Sequence, residues 1–495
     1  MKILLVYPEY PDTFWSFKYA LRFIRKRAAF PPLGLITVAA MLPADWQARL
    51  VDLNVEPLTD DDLNWADYVF ISAMAVQRTS AERLIARCSS AGKKIVAGGP
   101  LFTVDHEAFA AVDHFVLNEA EITLPLFLAD LAQGRLKRLY ASSEFSDMEQ
   151  AAIPRWDLLD MEAYASMSVQ WSRGCPFQCE FCDVTRLFGH SPRVKTARQV
   201  IAELDQLWAA GWRGKVFFVD DNLIGDKKRL KAELLPALIA WQKKVNYRAP
   251  FFTQVSINLA QDNELVSLIV EAGFDSVFIG IETPNQAALS DCRKTQNMGR
   301  NLATDVETLQ RAGLLVMGGF IVGFDPDDPA TIFNRQIVFV MRSGITMAMV
   351  GMLSAPYGTK LWQRLKLANR LTGQMSGDNV DGSTNIVPLM GFKVLRDGYG
   401  FVMKYLYSPP NYYRRVRTFL REFPTPKVSQ PINCQRVLAF FRACWHLGLA
   451  ESGGRRQFWA LLAWVLFCRP RLFPLAVESA INGYHFRKVT ELHIK

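Results

Sequence analysis

The sequence lacks several features that would have fixed its class at once. No stretch approaches the ~18 consecutive apolar residues of a membrane-spanning helix. The nearest, Phe458 to Cys468, spans about 11 residues between Arg455, Arg456, Arg469 and Arg471. Eight cysteines in 495 residues are too few for a disulfide scaffold. There is no internal repeat of fixed period and no low-complexity tract, which excludes a solenoid or a disordered array. The start, Met1 to Pro8, is a short apolar run closed by a proline, without the longer stretch and cleavage site of a signal peptide, so a cytoplasmic location is expected.

What is present is globular. Half the residues are apolar and 21% are charged, and the length suggests about three domains. The net charge of +9 is unevenly placed. Beyond residue 400 there are 15 basic and 4 acidic residues, so the first 400 are close to neutral and the basic character belongs to the C-terminal fifth.

From residue 1 to about 135, short β-rich runs (2–7, 48–53, 68–72, 94–97, 114–117) alternate with stretches of helical apolar spacing (35–42, 80–90, 124–131). Alternation of this kind predicts a doubly wound α/β domain on a parallel sheet, assigned to residues 1–145. Its ligands would sit at the carboxyl ends of the strands. No G-x-G-x-x-G follows the first strand, so a conventional dinucleotide site is poorly supported. A polar stretch near 144–154 leads into a second βα series with strands expected at 168–172, 215–219, 251–257, 276–281, 314–322 and 347–353. Six units fall short of a closed eightfold barrel, so residues 155–370 are read as a partial (βα)6 barrel with a lateral mouth for a large substrate or a neighbouring domain. Residues 371–495 are turn-rich, then mainly helical.

Five cysteines are dispersed, but three fall within eight residues: Cys175, Cys179 and Cys182, spaced C-x3-C-x2-C after the first strand of the second series. One tight loop can point three thiolates at a common centre, and three ligands to a four-iron cluster leave one iron free to bind a small molecule. The competing reading is structural zinc, which normally takes four ligands; no second Cys or His pair lies nearby in sequence.

This cysteine loop resembles the signature of the radical S-adenosylmethionine enzymes. The stretches 31–43, 173–184, 216–225, 276–284 and 318–325 are similar to one cobalamin-dependent group, the one that includes the hopanoid A-ring methylase. The likeness runs from residue 1 to about 420. It implies a [4Fe–4S] cluster on Cys175, Cys179 and Cys182, both as metal ligands and as catalytic residues, with S-adenosylmethionine on the open iron. It implies contacts to that molecule from Phe181, from Asp220, Asp221 and Asn222 after the second barrel strand, from Ser256 and Asn258 after the third, and from Gly280 and Glu282 at the end of the fourth. It implies cobalamin at the strand ends of the first domain, with Tyr10, Met74, Gly98, Gly99 and Glu119 as contacts. The residue types suit a zwitterionic sulfonium ligand, although an Asp at a strand end is also a common turn or cap residue.

Three departures stand out. Gln254 occupies a position where relatives often have Glu. The D-x-H-x-x-G motif that supplies an axial histidine is missing, and His106 and His114 do not fit it, so cobalamin is expected without a histidine ligand from the protein. Asn118 stands where the family typically has Gly.

The implied reaction is methylation of an unactivated carbon of a lipid-like or other hydrophobic substrate, through methylcobalamin and a 5′-deoxyadenosyl radical, fed by an electron donor such as flavodoxin or ferredoxin. A radical rearrangement, cyclisation or coupling without methyl transfer is the alternative within the enzyme class. A non-catalytic iron–sulfur or zinc binding module is the alternative outside it. The basic, aromatic tail (412–421 and 457–471) admits three readings: a helical cap with solvated arginines, a peripheral membrane anchor, or a nucleic-acid surface. The last is disfavoured because no recognised binding module accompanies the charge.

Overall fold

Ile3, Leu4, Leu5 and Val6 have no exposed surface, and they alternate between two apolar layers: Ile3 and Leu5 with Phe70 and Val96, Leu4 and Val6 with Val69 and Ile95. A strand buried on both faces belongs in a parallel sheet covered by helices on both sides. The computed structural model, which describes residues 1–428 and 433–494, has that sheet. Its strands are β1 (Lys2–Tyr7), β2 (Gln47–Asp52), β3 (Tyr68–Ser72), β4 (Lys94–Gly98), β5 (His114–Val116) and β6 (Leu139–Tyr140). They are all parallel, in the order 2-1-3-4-5-6. Chain direction across the sheet reverses between β1 and β3, the switch point where open α/β sheets bind ligands. The sixth strand was not expected; it is two residues long and pairs with Phe115 and Val116.

The second sheet comprises β7 (Ser166–Val169), β10 (Lys215–Phe218), β11 (Phe251–Gln254), β12 (Phe274–Glu282), β13 (Leu315–Val322) and β14 (Met347–Met352), parallel and in simple sequence order. The outermost strands, β7 and β14, do not pair, so this is an open six-stranded barrel. A two-residue ribbon, β8 (Ser172–Arg173) with β9 (Arg193–Val194), brackets the cysteine loop. The first strand thus ends at Val169, earlier than expected, because the chain turns at Gln170 to enter the ribbon. Helices pack outside by ordinary rules: Ala197–Ala209 starts at a capping box of Thr196 and Gln199 and buries Val200, Leu204 and Leu207.

Inside the barrel the alternation of β10 to β14 presents Phe217, Phe252, Phe278 and Met349, all partly exposed. Two aromatic residues of the N-terminal segment enter this space. Phe30 lies 5.4 Å from the Phe217 ring, and Trp15 lies 5.2 Å from the Phe278 ring and donates its indole N–H to the Met349 Sδ at 3.1 Å.

The C-terminal helices Phe392–Tyr407, Pro409–Glu422, Cys434–Trp445, Arg455–Cys468 and Phe473–His493 close over β14 and the N-terminal segment. Of the basic tail, Arg415 is not solvated. It is fully buried, donating to the carbonyls of Leu406 and Thr346 and flanked by the rings of Tyr407 and Tyr412.

The two sheets are joined by buried charge. Glu119, at the start of the helix Ala120–Ala132, receives both Arg193 guanidinium nitrogens at 2.6 and 2.8 Å and the Ser146 N–H at 2.7 Å. Glu121 takes Arg173 in a fork at 2.8 and 3.0 Å. Burial pushes the Glu119 carboxyl up, but Arg193, Ser146 and Arg173 outweigh it and hold the group below the usual carboxylate range. Glu119→Ala, which leaves Arg193 half-buried and unpaired, should lower stability in urea unfolding by about 3 kcal/mol or more. The double variant Glu119→Leu with Arg193→Met should cost less than Glu119→Ala alone, since it strands neither charge.

Candidate active site

The cysteine loop is anchored by a carboxylate. Asp220, just after β10 and without exposed surface, accepts the Trp171 N–H at 3.2 Å and both the N–H and the hydroxyl of Ser172. Burial pushes the Asp220 carboxyl up to about 6 in spite of these donors. Asp221 is pushed up to about 7, by burial and then by the neighbouring Asp220 charge, with the Gly174 N–H opposing. Gly174 has φ +96°, and a Cβ there would lie 3.0 Å from the carbonyl oxygens of Phe188, Gly189 and Ser191, so only glycine fits this corner.

Beyond Gly174, the Cys175 N–H donates to the Gly189 carbonyl at 3.2 Å and the Cys182 N–H to the Cys179 carbonyl at 3.2 Å. The three thiols are partly exposed, whereas Cys88 and Cys292 are buried. Burial pushes the Cys175 and Cys182 thiols up, so metal loading must release protons. Three thiol donors with no fourth Cys or His in the loop suit a four-iron cluster with one open iron better than the four-ligand shell of structural zinc.

The strand ends around the loop carry groups in wait of a partner. Asn222 Oδ1 accepts the Ser256 N–H at 3.0 Å, and Ser256 donates its hydroxyl to Asn258 at 2.6 Å, but the buried Asn222 Nδ2 has no partner among the described residues. Gln296 turns its Nε2 to the Cys179 sulfur at 3.6 Å and leaves its buried Oε1 unpartnered. An amide donor at the strand end and an amide acceptor next to the Cys179 sulfur, both buried, suit the charged amino-acid end of S-adenosylmethionine. Phe181 packs against Phe324 at 6.3 Å.

Lys294 was not anticipated. Its ammonium lies 2.7 Å from Glu282 Oε1 and 5.8 Å from the Phe181 ring centre, and Glu282 holds its pKa above the ordinary lysine range against burial. Glu282 itself has φ +64° where the register of β12 on β13 shifts, a strained position. A Cβ on Gly280 would strike both members of this ion pair, at 2.3 and 2.8 Å. Nothing local in the sequence marks Lys294; it follows the helix Gln286–Asp291 and returns to the strand end through the fold.

In the first domain the structure brings Tyr10 and Met74 together at the switch point, the Tyr10 hydroxyl on the Met74 Sδ at 3.2 Å and on the Tyr7 hydroxyl at 2.6 Å. Gly98 and Gly99 are close-packing positions: a Cβ would lie 2.6 Å from the Val116 carbonyl and 2.4 Å from the Ser72 hydroxyl. Glu119 is committed to Arg193, as described above. Neither histidine approaches the switch point: the His106 ring packs on Phe115 and His114 Nδ1 meets the Lys137 carbonyl at 2.7 Å. Asn118 has φ +64°, the left-handed conformation that glycine adopts freely and that Asn tolerates.

Cys175→Ser, Cys179→Ser and Cys182→Ser should each abolish bound iron and sulfide, and with them 5′-deoxyadenosine release. The raised carboxyls give a sign for pH as well. A folded pKa above the unfolded one adds stability below the unfolded pKa and loses it as pH rises. For Asp221 the window runs from about 3.8 to about 7. Asp221→Asn removes this dependence, so the melting temperature of the metal-free variant should gain on that of its metal-free parent as pH rises through the window.

Three family models match in order along the chain: a B12 binding domain at residues 26–128, the radical SAM superfamily at 169–332, and a domain of unknown function (DUF4070) at 359–495. An uncharacterized methyltransferase of Synechocystis is 39% identical over 99% of this chain and 92% of its own length. The hopanoid C-2 methylase of Rhodopseudomonas palustris is 36% identical over 75% of this chain and 71% of its own. Among solved structures, the fold is similar to that of OxsB with aqua-cobalamin and S-adenosylmethionine bound (TM-score 0.64, 14% identity, 95% of this chain and 79% of that one). It is also similar to TsrM of Kitasatospora setae with cobalamin and a [4Fe–4S] cluster bound (TM-score 0.59, 16% identity, 99% of each). With this loop, these two sheets and relatives at such identity, the chain belongs to the cobalamin-dependent radical S-adenosylmethionine methyltransferases, whose cofactors are a [4Fe–4S] cluster, S-adenosylmethionine and cobalamin.

Proposed function

We propose that this enzyme methylates an unactivated carbon of a polycyclic or long-chain lipid. The observation that carries the substrate class is the barrel interior, where Phe217, Phe252, Phe278 and Met349 meet Phe30 and Trp15 of the N-terminal segment. An apolar, aromatic lining favours a substrate that gains by leaving water. The similarity to a hopanoid C-2 methylase supports the same choice.

On this reading residues 1–145 hold cobalamin, with Tyr10, Met74, Gly98 and Gly99 at the switch point and no histidine from the protein on the metal. Residues 155–370 hold the cluster on Cys175, Cys179 and Cys182, with Phe181, Asn222, Ser256, Asn258, Gly280 and Glu282 around S-adenosylmethionine. Residues 371–495 cap both. When bound, the cofactors supply a hydrogen-abstracting radical on one side and a methyl group on the other. The chain's own work is alignment and exclusion of water. Asp220 and Gly174 fix the thiol loop, Asn222 and Gln296 orient the sulfonium ligand, and Arg173, one residue before Gly174, ties that loop to the cobalamin domain through Glu121. A small one-electron donor such as flavodoxin or ferredoxin would supply the reducing equivalent.

The test is anaerobic turnover with trideuteromethyl-labelled S-adenosylmethionine and a triterpenoid hydrocarbon. Labelled methyl on the triterpenoid is the expected result. Release of 5′-deoxyadenosine with an unmethylated, altered product would transfer the enzyme to radical rearrangement or coupling. Phe278→Asn should raise KM for the triterpenoid roughly tenfold or more, the worth of one buried aromatic contact, while cluster content stays unchanged.

A further inference from the structure

One face of the C-terminal helices has no role in the site. The helix Cys434–Trp445 and the turn after it bury Ala443 and Leu447, and the helix Arg455–Cys468 buries Phe458 and Leu462, all against Phe23 and Ile481. Their opposite sides are apolar as well. Val437, Leu438, Phe441, Trp445 and Leu449 recur at three- and four-residue spacing and form one exposed stripe. Trp459, Leu466 and Phe467 form a second, in which Phe467 is 89% exposed. The stripes adjoin, because the Trp459 indole N–H donates to the Gly448 carbonyl at 3.0 Å. Isolated exposed apolar side chains are ordinary, but two adjoining stripes rich in Trp and Phe are an interaction surface.

The charge around this surface selects its partner. Between residues 434 and 477 the single acidic residue is Glu451, and its carboxylate is taken by Arg487 at 3.3 Å and Lys488 at 3.6 Å. Arg455 and Arg456 are exposed at the start of the second helix, and Arg471 is exposed beyond its end. That helix, 14 residues and so about 21 Å long, therefore carries cations at both ends and aromatic residues along one side. Among the described residues no helix is long and apolar enough to cross a membrane. Two copies of this face brought together would set arginine against arginine, whereas a sheet of phosphates would neutralise them.

We propose that the outer faces of these two helices dock the enzyme on an anionic phospholipid bilayer, with Phe441, Trp445, Trp459 and Phe467 entering the headgroup boundary and Arg455, Arg456 and Arg471 on lipid phosphates. The inference rests on this surface alone and stands apart from the choice of substrate.

The experiment is co-sedimentation of the full-length reconstituted enzyme with vesicles of phosphatidylcholine and of phosphatidylcholine mixed with phosphatidylglycerol. Binding should be at least about tenfold stronger to the anionic vesicles and should weaken steeply with salt. The triple variant Phe441→Ser, Trp445→Ser, Phe467→Ser should lose binding about tenfold or more and keep the parent's iron content and circular dichroism, because these side chains face solvent. Arg455→Gln with Arg456→Gln should remove most of the salt dependence. Absence of binding to either vesicle overturns the proposal, as does binding that the triple variant retains. So does a parent dimer in analytical ultracentrifugation that the triple variant abolishes without any vesicle binding, which would assign the face to a second copy. Methylation of a detergent-dispersed substrate reads the substrate proposal independently.

Discussion

The arrangement of the two α/β units depends on four charged side chains where they meet. Burying a carboxylate or a guanidinium costs several kcal/mol unless its hydrogen-bonding capacity is filled. Glu119, Arg193, Arg173 and Glu121 bond one another, with Ser146 and the Phe188 carbonyl adding to the set, and among the described residues only the Arg193 Nε of these four side chains is left buried without a partner. A pair of this kind adds little net stability compared with apolar residues of equal size, but it tolerates almost no displacement. One register satisfies the fork between Arg173 and Glu121 and the double bond from Arg193 to Glu119; a sliding of one sheet against the other would leave the buried Glu119 carboxylate without its partner. That intolerance suits an enzyme that must present two cofactors to one carbon.

The same residues transmit position into the cysteine loop. Arg173 stands between Ser172, whose amide and hydroxyl are held by Asp220, and Gly174, whose left-handed backbone starts the loop. The loop is therefore gripped from the barrel side by a carboxylate after β10 and from the other domain by Glu121. Three thiolates on a free loop would pay the conformational cost of ordering when metal arrives; a loop held at both flanks has met much of that cost on folding.

Much of this was legible from residue type and spacing. Lys2–Tyr7 and Tyr68–Ser72 lie where apolar β-branched runs placed them, and the open sixfold barrel follows from counting such runs. The parts that were not legible share one cause: their partners are distant in sequence. An Asp at a barrel strand end is a good acceptor, but the donors that Asp220 takes, the amides of Trp171 and Ser172, lie 49 and 48 residues away. Glu119, a cofactor contact by the family resemblance, bonds Arg193 and Ser146 at the domain junction, which its place in the sequence does not show. Lys294 has no motif of its own and gains meaning only through Glu282. The strand Leu139–Tyr140 is too short to carry any period. Tyr412 to Arg421 looked like a basic surface, but Arg415 is enclosed by carbonyls and rings, and the exposed apolar face lies further along the chain.

The C-terminal helices explain how an open barrel keeps an apolar interior. A six-stranded barrel has a gap between β7 and β14, and water would enter it unless something filled it. The filler is the N-terminal segment carrying Trp15 and Phe30. Its residues 27–29 bond the backbone of residues 163–166 beside β7, with Ala28 paired to Tyr164, and the last helix holds its earlier part. Phe14 stacks on Phe486 at 4.2 Å, the Phe14 carbonyl takes the His485 Nε2–H at 3.0 Å, and the Asp12 carbonyl meets His493 at 2.9 Å. Burial pushes the His485 pKa down to about 4, so the ring stays neutral near pH 7 and the bond does not depend on a buried cation. The last helix thus fixes the N-terminal segment in the barrel, and the two helices before it, which pack on that helix and on Phe23, keep outer faces that no part of the site requires.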